Sequence, residues 1–247
     1  MNVEFPGTPS DQVTEILATG NGDIGSLFVS MSEKHPQGSD AGYLRWHTLD
    51  HRPEQQRLAQ IRTSLRLVST PACRAARAAS ESRFDLVDHV MTYFFSEHSA
   101  MEPFSDLSTA LHNSGRSPYI LPPVQRGLYA VSSKAAAERV KVGADVLPWR
   151  PVRGVYVLLE KTSADANALL EVDGVAGVWS AVSVPNQFSN ADAGLQLSYC
   201  FLDAEPVETA EKMQAVLPGR WNTLGIRALL AAPFFAVAPF NWDCYLP

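Results

Sequence analysis

The feature that most restricts what this chain can fold into is an order of hydrophobic patterns that occurs twice. In the first half, Ile24–Met31 is a short apolar strand pattern. Gly38-Ser39-Asp40 then supplies an N-cap for a helix from about Ala41. Ile61–Thr70 alternates Ile61, Thr63, Leu65 and Leu67 with Arg62, Ser64 and Arg66, which predicts a half-buried strand, and Phe84–Phe95 makes another, rich in Val, Tyr and Phe. Met101–His112 reads as a helix ended by Asn113-Ser114-Gly115, and Tyr119–Ala130 as a fourth strand that Pro122 and Pro123 confine to a sheet edge or split.

Beyond the Pro- and Gly-punctuated stretch from Gly143 to Gly154 the order returns. Gly154–Lys161 is a strand, Ser163–Glu171 a short helix, and Val175–Val184 and Leu195–Leu202 two strands. Pro206–Leu217 is a helix opened by Pro, and Ala228–Ala238 an apolar closing strand. Each half is thus β-α-β-β-α-β, the ferredoxin-like order. Such a unit covers one sheet face with helices and leaves the other bare, so two units stacked sheet to sheet bury both. The expected fold class is α+β: an N-terminal arm (1–23), a first unit (24–141) and a second (142–247).

Composition narrows the function classes. At 247 residues and 46% hydrophobic the chain can bury a substantial core, and 20 basic against 26 acidic residues give a formal charge of -6. That charge repels nucleic acid and anionic membrane surfaces, so neither is expected as a partner. Cys73, Cys200 and Cys244 are odd in number and lack a CxxC spacing, which speaks against a disulfide framework or zinc site and for a reducing cytoplasm. The first twenty residues contain Glu4, Asp11 and Glu15 and read as an arm rather than a secretory signal. Ala228–Phe240, the longest apolar stretch, is interrupted by Pro233 and Pro239 and is shorter than the ~20 residues of a membrane span. No GxGxxG, P-loop or GxSxG sequence occurs.

All six histidines precede the middle of the chain, and two fall one helical turn apart in Tyr43-Leu44-Arg45-Trp46-His47-Thr48-Leu49-Asp50-His51-Arg52-Pro53. On a helix, Tyr43, His47 and His51 share a face, with Trp46 and Asp50 on the adjoining stripe. Histidine titrates near neutrality, so His51 can serve as general acid/base, with His47 or Asp50 fixing its tautomer and Tyr43 donating to an oxyanion. Trp46, His89 and Arg62 complete the candidate site as substrate contacts. A solvated amphipathic helix with chance histidines is the competing reading. His89 follows Asp88 in an apolar strand, where a hydrogen-bonded core histidine fits as well as a functional one. His35, His98 and His112 lie beside loop-forming residues and read as surface. A metal is not expected, because Thr48 replaces the Glu of HExxH and no third ligand has suitable spacing. Eight arginines between Arg45 and Arg83 face only Asp50, Glu54 and Glu81, a balance that suits an anionic substrate or simply a solvated face. Trp149, Trp179, Trp221, Trp242, Phe234 and Phe235 are read as core between the sheets.

Tyr43, Trp46, His51, Pro53, Leu58, Ile61 and Arg62 give the first half a resemblance to the EthD-like branch of the dimeric α/β-barrel superfamily, whose members carry an aromatic-rich first helix, a histidine followed by Pro, a leucine, and a strand opening with an apolar-Arg pair. Val172–Trp179 resembles the turn into the second strand of a degenerate second copy. Ala59-Gln60 departs from the family's usual Pro-Gly. The resemblance implies a barrel of two fused copies, a small-molecule pocket between sheet and helices served by His51, and no cofactor. A homodimer of the two-unit chain is compatible with it. The expected activity is cofactor-independent acid/base chemistry (isomerase, cyclase, decarboxylase or lyase) on a small cyclic or aromatic acid. The alternatives are a non-catalytic ligand-binding or accessory protein and, third, haem binding through a histidine.

Overall fold

A computed structural model describes residues 6–8, 23–162 and 164–247. Nearly all of the expected N-terminal arm lies outside the described residues. Among the described residues nine strands form: β1 (Ser26–Ser32), β2 (Ile61–Val68), β3 (Ala79–Ser80), β4 (His89–Phe95), β5 (Pro123–Ala136), β6 (Gly154–Glu160), β7 (Val175–Val184), β8 (Gln196–Leu202) and β9 (Ala228–Ala236). The sheet runs β2-β4-β1-β5-β7-β8-β6-β9 and returns to β2, every pairing between these eight being antiparallel. This closed eight-stranded barrel, with few helices around it, is an α+β fold. Two sheets stacked face to face are therefore not what forms. The halves join edge to edge, β5 to β7 and β9 to β2, and closure removes the exposed edges that open sheets carry.

Alternation along each strand sends one face into the barrel. Leu27, Val29 and Met31 of β1 meet Phe94 of β4 and, from the second half, Trp179, Tyr199 and Phe234, all buried. The other tryptophans depart from the expected core: Trp149 is exposed, Trp221 packs on the outer layer and Trp242 lies in the C-terminal tail. Phe235 is half-buried and stacks on Tyr245 at 4.0 Å between ring centroids. The prolines expected to make β5 an edge strand do not do so. Pro123 is its first residue, where a ladder N–H is dispensable, and β5 is paired on both sides.

Outside the barrel lie α1 (Asp40–Trp46), a π-helical segment (His47–His51), α2 (Arg52–Gln55), α3 (Pro71–Ala75), α4 (Met101–Asn113) and α5 (Pro206–Leu224). Gly115, at φ +76°, ends α4 as the sequence expects. Ser39 makes no side-chain cap bond to α1; Asp40 takes the His35 N–H instead, at 2.8 Å. Phe84–Leu86 is a 3₁₀ turn rather than strand, and the helix expected over Ser163–Glu171 is a 3₁₀ turn at Asn167–Glu171, Ser163 lying outside the described residues. On the second-half exterior α5 packs tightly: Met213 and Leu217 fill the space over Tyr156, Leu158 and Cys200. On the first-half exterior the helices stand off and leave a cavity. No helix among the described residues is long and apolar enough to cross a membrane.

Candidate functional site: a cation-lined cavity beside a π-helical turn

The cavity, of about 500 Å³, lies between the outer face of β1, β2 and β4 and the helices α1, α2 and α4. Its floor is set by the same alternation that fills the barrel. Phe28 and Ser30 of β1, Arg66 of β2, and Met91 and Tyr93 of β4 occupy the outward positions. One wall is α4, whose Met101, Phe104, Ser105, Ser108 and His112 share a helical face. The other is the histidine helix.

Pro53 explains the irregularity of that helix. A proline inside a helix removes one backbone donor and crowds the carbonyl four residues back. The chain widens there: the Arg52 N–H bonds to the His47 carbonyl five residues earlier, closing a π turn over His47–His51. In a regular helix, residues four apart drift around the axis; the wider turn takes part of that drift back. Tyr43, His47, His51 and Gln55, at successive four-residue steps, consequently all line the cavity. The ring centroids of Tyr43 and His47 are 5.7 Å apart and those of His47 and His51 5.4 Å, while Trp46 lies 4.9 Å from His51. Tyr119 passes close above α1, its hydroxyl 2.8 Å from where a β-carbon on Gly42 would be, so a larger residue there would push the Tyr119 side chain aside.

Arg66 is the charge at the centre of this arrangement. Its side chain is buried at 3% exposure, lies 4.9 Å from the Tyr43 ring centroid and donates from Nη2 to the Tyr43 hydroxyl at 2.6 Å. Its Nε has no partner, and no carboxylate among the described residues forms an ion pair with it. Burying a guanidinium without a counterion is costly, so its placement at a cavity suits an incoming anion. Burial pushes the His51 imidazole down to about 4, with Arg66 adding to the effect. Burial and then Arg66 hold His47 well below the usual histidine range. Both rings are therefore neutral at pH 7.

Four of the residues singled out in the sequence, Tyr43, Trp46, His47 and His51, come together. The other three do not line the cavity, although the His89 ring lies 5.5 Å from that of Tyr43. Asp50 turns away from His51 and pairs with Arg116 at 2.9 Å. His89 is fully buried behind the cavity, its Nε2 2.8 Å from Asp40 Oδ1, which makes it a hydrogen-bonded core histidine. Arg62 is exposed because a β-bulge between Ile61 and Thr63 leaves it unpaired and points it to solvent. The arginines that reach the cavity are Arg66 and Arg126. Arg66 shares the alternation of Arg62 and Ser64; the sequence gives no sign of the bulge that separates their fates. Phe28, Tyr93 and Phe104 also line the cavity unforeseen, since outward strand positions carry no signal until the covering helices are placed. Among the described residues no cluster of three or more His, Cys, Asp or Glu is placed to hold a metal ion.

Haem makes a definite demand on a histidine. A ligating ring ordinarily donates its second nitrogen to a carboxylate, carbonyl or water. The Nδ1 atoms of His47 and His51 are buried without a partner, and Asp50 is held by Arg116. His47 and His51 do not fit that pattern.

No protein-family model and no curated protein matches the chain. Among solved structures it is similar to a protein provisionally assigned as a chlorite dismutase (10% identity, TM-score 0.50, covering 89% of this chain and 97% of that one). It is also similar to chlorite dismutase from Candidatus Nitrospira defluvii in complex with imidazole (11%, 0.49, 93% and 95%) and to an anthrone oxidase-like protein (10%, 0.49, 87% and 92%). At 10% identity, what the chain shares with the first of these is fold alone.

Proposed function

We propose that this chain is a cofactor-independent acid/base enzyme that takes a small aromatic or cyclic acid into the cavity, with Arg66 holding the anion and His51 serving the reacting carbonyl as general acid/base. The observation that carries this reading is the buried, carboxylate-free Arg66 facing an aromatic-walled cavity beside two neutral imidazoles. Tyr43 and Trp46 orient and enclose the substrate. Isomerisation, cyclisation, decarboxylation and elimination all develop negative charge on an oxygen next to the reacting carbon, which this set of groups offsets.

Two further elements belong to the proposal. The strand orders β2-β4-β1-β5 and β7-β8-β6-β9 place corresponding strands in corresponding positions, which supports two fused ferredoxin-like units, 24–141 and 142–247, behind an arm. Kinship with the EthD-like branch is supported by Tyr43, Trp46 and His51, which all line the cavity.

The test uses 2-tetralone and benzoylacetate as probes in D₂O. Enzyme-accelerated deuterium exchange next to the carbonyl is expected, falling roughly 10²–10⁴-fold in His51→Ala. Exchange no faster than in buffer for both probes, with bound ligand demonstrated, would make the chain a binding protein instead.

A further inference from the structure

The position of the protons on the two cavity histidines is decided by what surrounds them. A neutral imidazole carries one proton, on Nδ1 or on Nε2. Here Nδ1 of both His47 and His51 is buried and has no hydrogen-bond partner, so Nε2 is the nitrogen through which either ring can meet a ligand. A proton on Nδ1 would leave an orphaned buried donor, the rarest kind of unsatisfied group in folded proteins; a proton on Nε2 leaves only a bare lone pair inside and turns an N–H towards the cavity. The surrounding charges act the same way. Arg66, from β2, disfavours a second proton on both rings; Arg52 adds to this at His47 and Arg116 at His51, where Asp50 acts in the opposite sense. Tyr43 completes the pattern, because its oxygen already accepts from Arg66 and its own hydrogen is left to donate.

We propose that His47 and His51 stand in the cavity as neutral hydrogen-bond donors, each with its proton on Nε2, and that with Arg66 and Tyr43 they form a donor cluster for the oxyanion of an acidic aromatic or cyclic carbonyl compound. This rests on the function proposed above and narrows it: His51 is the acid partner, its Nε2–H donating to the charge that develops on the substrate oxygen, and the proton lost from carbon passes to solvent water. Preorganised donors favour the transition state in which that charge develops.

Two measurements on the full chain test this. Ring-¹⁵N histidine NMR at pH 7, with the two rings identified by their loss in His47→Gln and His51→Gln, should show both as neutral with a protonated Nε2 and a bare Nδ1. A proton on Nδ1, or on both nitrogens, overturns the assignment. The second measurement is binding of 8-anilinonaphthalene-1-sulfonate, an aromatic anion, against N-phenyl-1-naphthylamine, its uncharged counterpart. His51→Gln, whose amide N–H reaches towards the same point as Nε2–H, should keep the anion's affinity. His51→Met should lose about tenfold, the scale of one hydrogen bond to a charged group. Equal loss in both variants overturns the donor role. Anion binding indifferent to Arg66→Met would instead sink the anion pocket of the proposed function, with the NMR still deciding the tautomer.

Discussion

Arg66 sits where a residue selected for stability alone would not. A buried cation lacking a carboxylate partner costs desolvation that one hydrogen bond to Tyr43 offsets only in part, and replacement of such charges by apolar side chains of similar volume is often neutral or stabilising. Arg66→Met is therefore expected to leave the melting temperature unchanged or higher while removing the preference for anionic ligands. A loss of ~3–5 kcal/mol in urea unfolding would show that the arginine is structural. His51 provides the pH dependence. Its folded-state pKa, about 4, lies below the ordinary 6.5 of the unfolded chain, so the unfolded state binds more protons in between. The stability it contributes is complete above about 6.5 and is lost as pH falls towards 4, by an amount on the order of 1–3 kcal/mol. His47 acts in the same direction. His51→Gln should flatten that acid limb, and a limb identical to wild type would mean that the ring is already charged in the fold.

The π-helical turn is what makes a site of the histidine helix. Deleting Leu49, an exposed residue within it, together with Pro53→Ala, would let the segment close as a regular α-helix and swing His51 by roughly 60–100° relative to His47. Helical content by circular dichroism should persist while anion binding is lost; retained binding would show that the wide turn is incidental. Periodicity in the sequence made elements of this kind legible. Val175–Val184 is strand over the span the pattern indicates, and Met101–His112 differs from α4 by one residue. What the pattern cannot carry is tertiary: whether β2 is bulged at Arg62, whether Pro123 begins a strand or breaks one, and whether a helix packs down, as α5 does, or stands off, as α1 and α4 do. The histidine pair was visible because its residue types are scarce and clustered. Arg66 was not, because an arginine in an alternating strand looks alike on a solvated face and on a covered one.

At the scale of the whole molecule, the barrel interior is shared by the two halves, and neither has a core without the other. Residues 24–141 alone would expose Leu27, Val29, Met31 and Phe94, and residues 142–247 alone Val155, Trp179, Phe201 and Phe234. The seams between them are unequal. The β5–β7 ladder runs from Leu128 opposite Val184 to Ala136 opposite Gly177, whereas β2 meets β9 only at Leu67 opposite Ala236 and Val68 opposite Phe235. The long seam pairs β5 with β7 across the intervening β6, a much shorter chain separation than that between β2 and β9, so its closure costs less entropy than the short seam that shuts the barrel. Chains 1–141 and 142–247 expressed separately are expected to be insoluble or to lack a cooperative melt, because each sheet presents a bare apolar face of a size that associates. Coexpressed, they should recover a single melt and the anion site, which is built wholly from first-half side chains except Phe188. Two soluble fragments, each melting cooperatively, would show that the halves are independent domains and that barrel closure does not hold the first-half sheet in the shape the cavity needs.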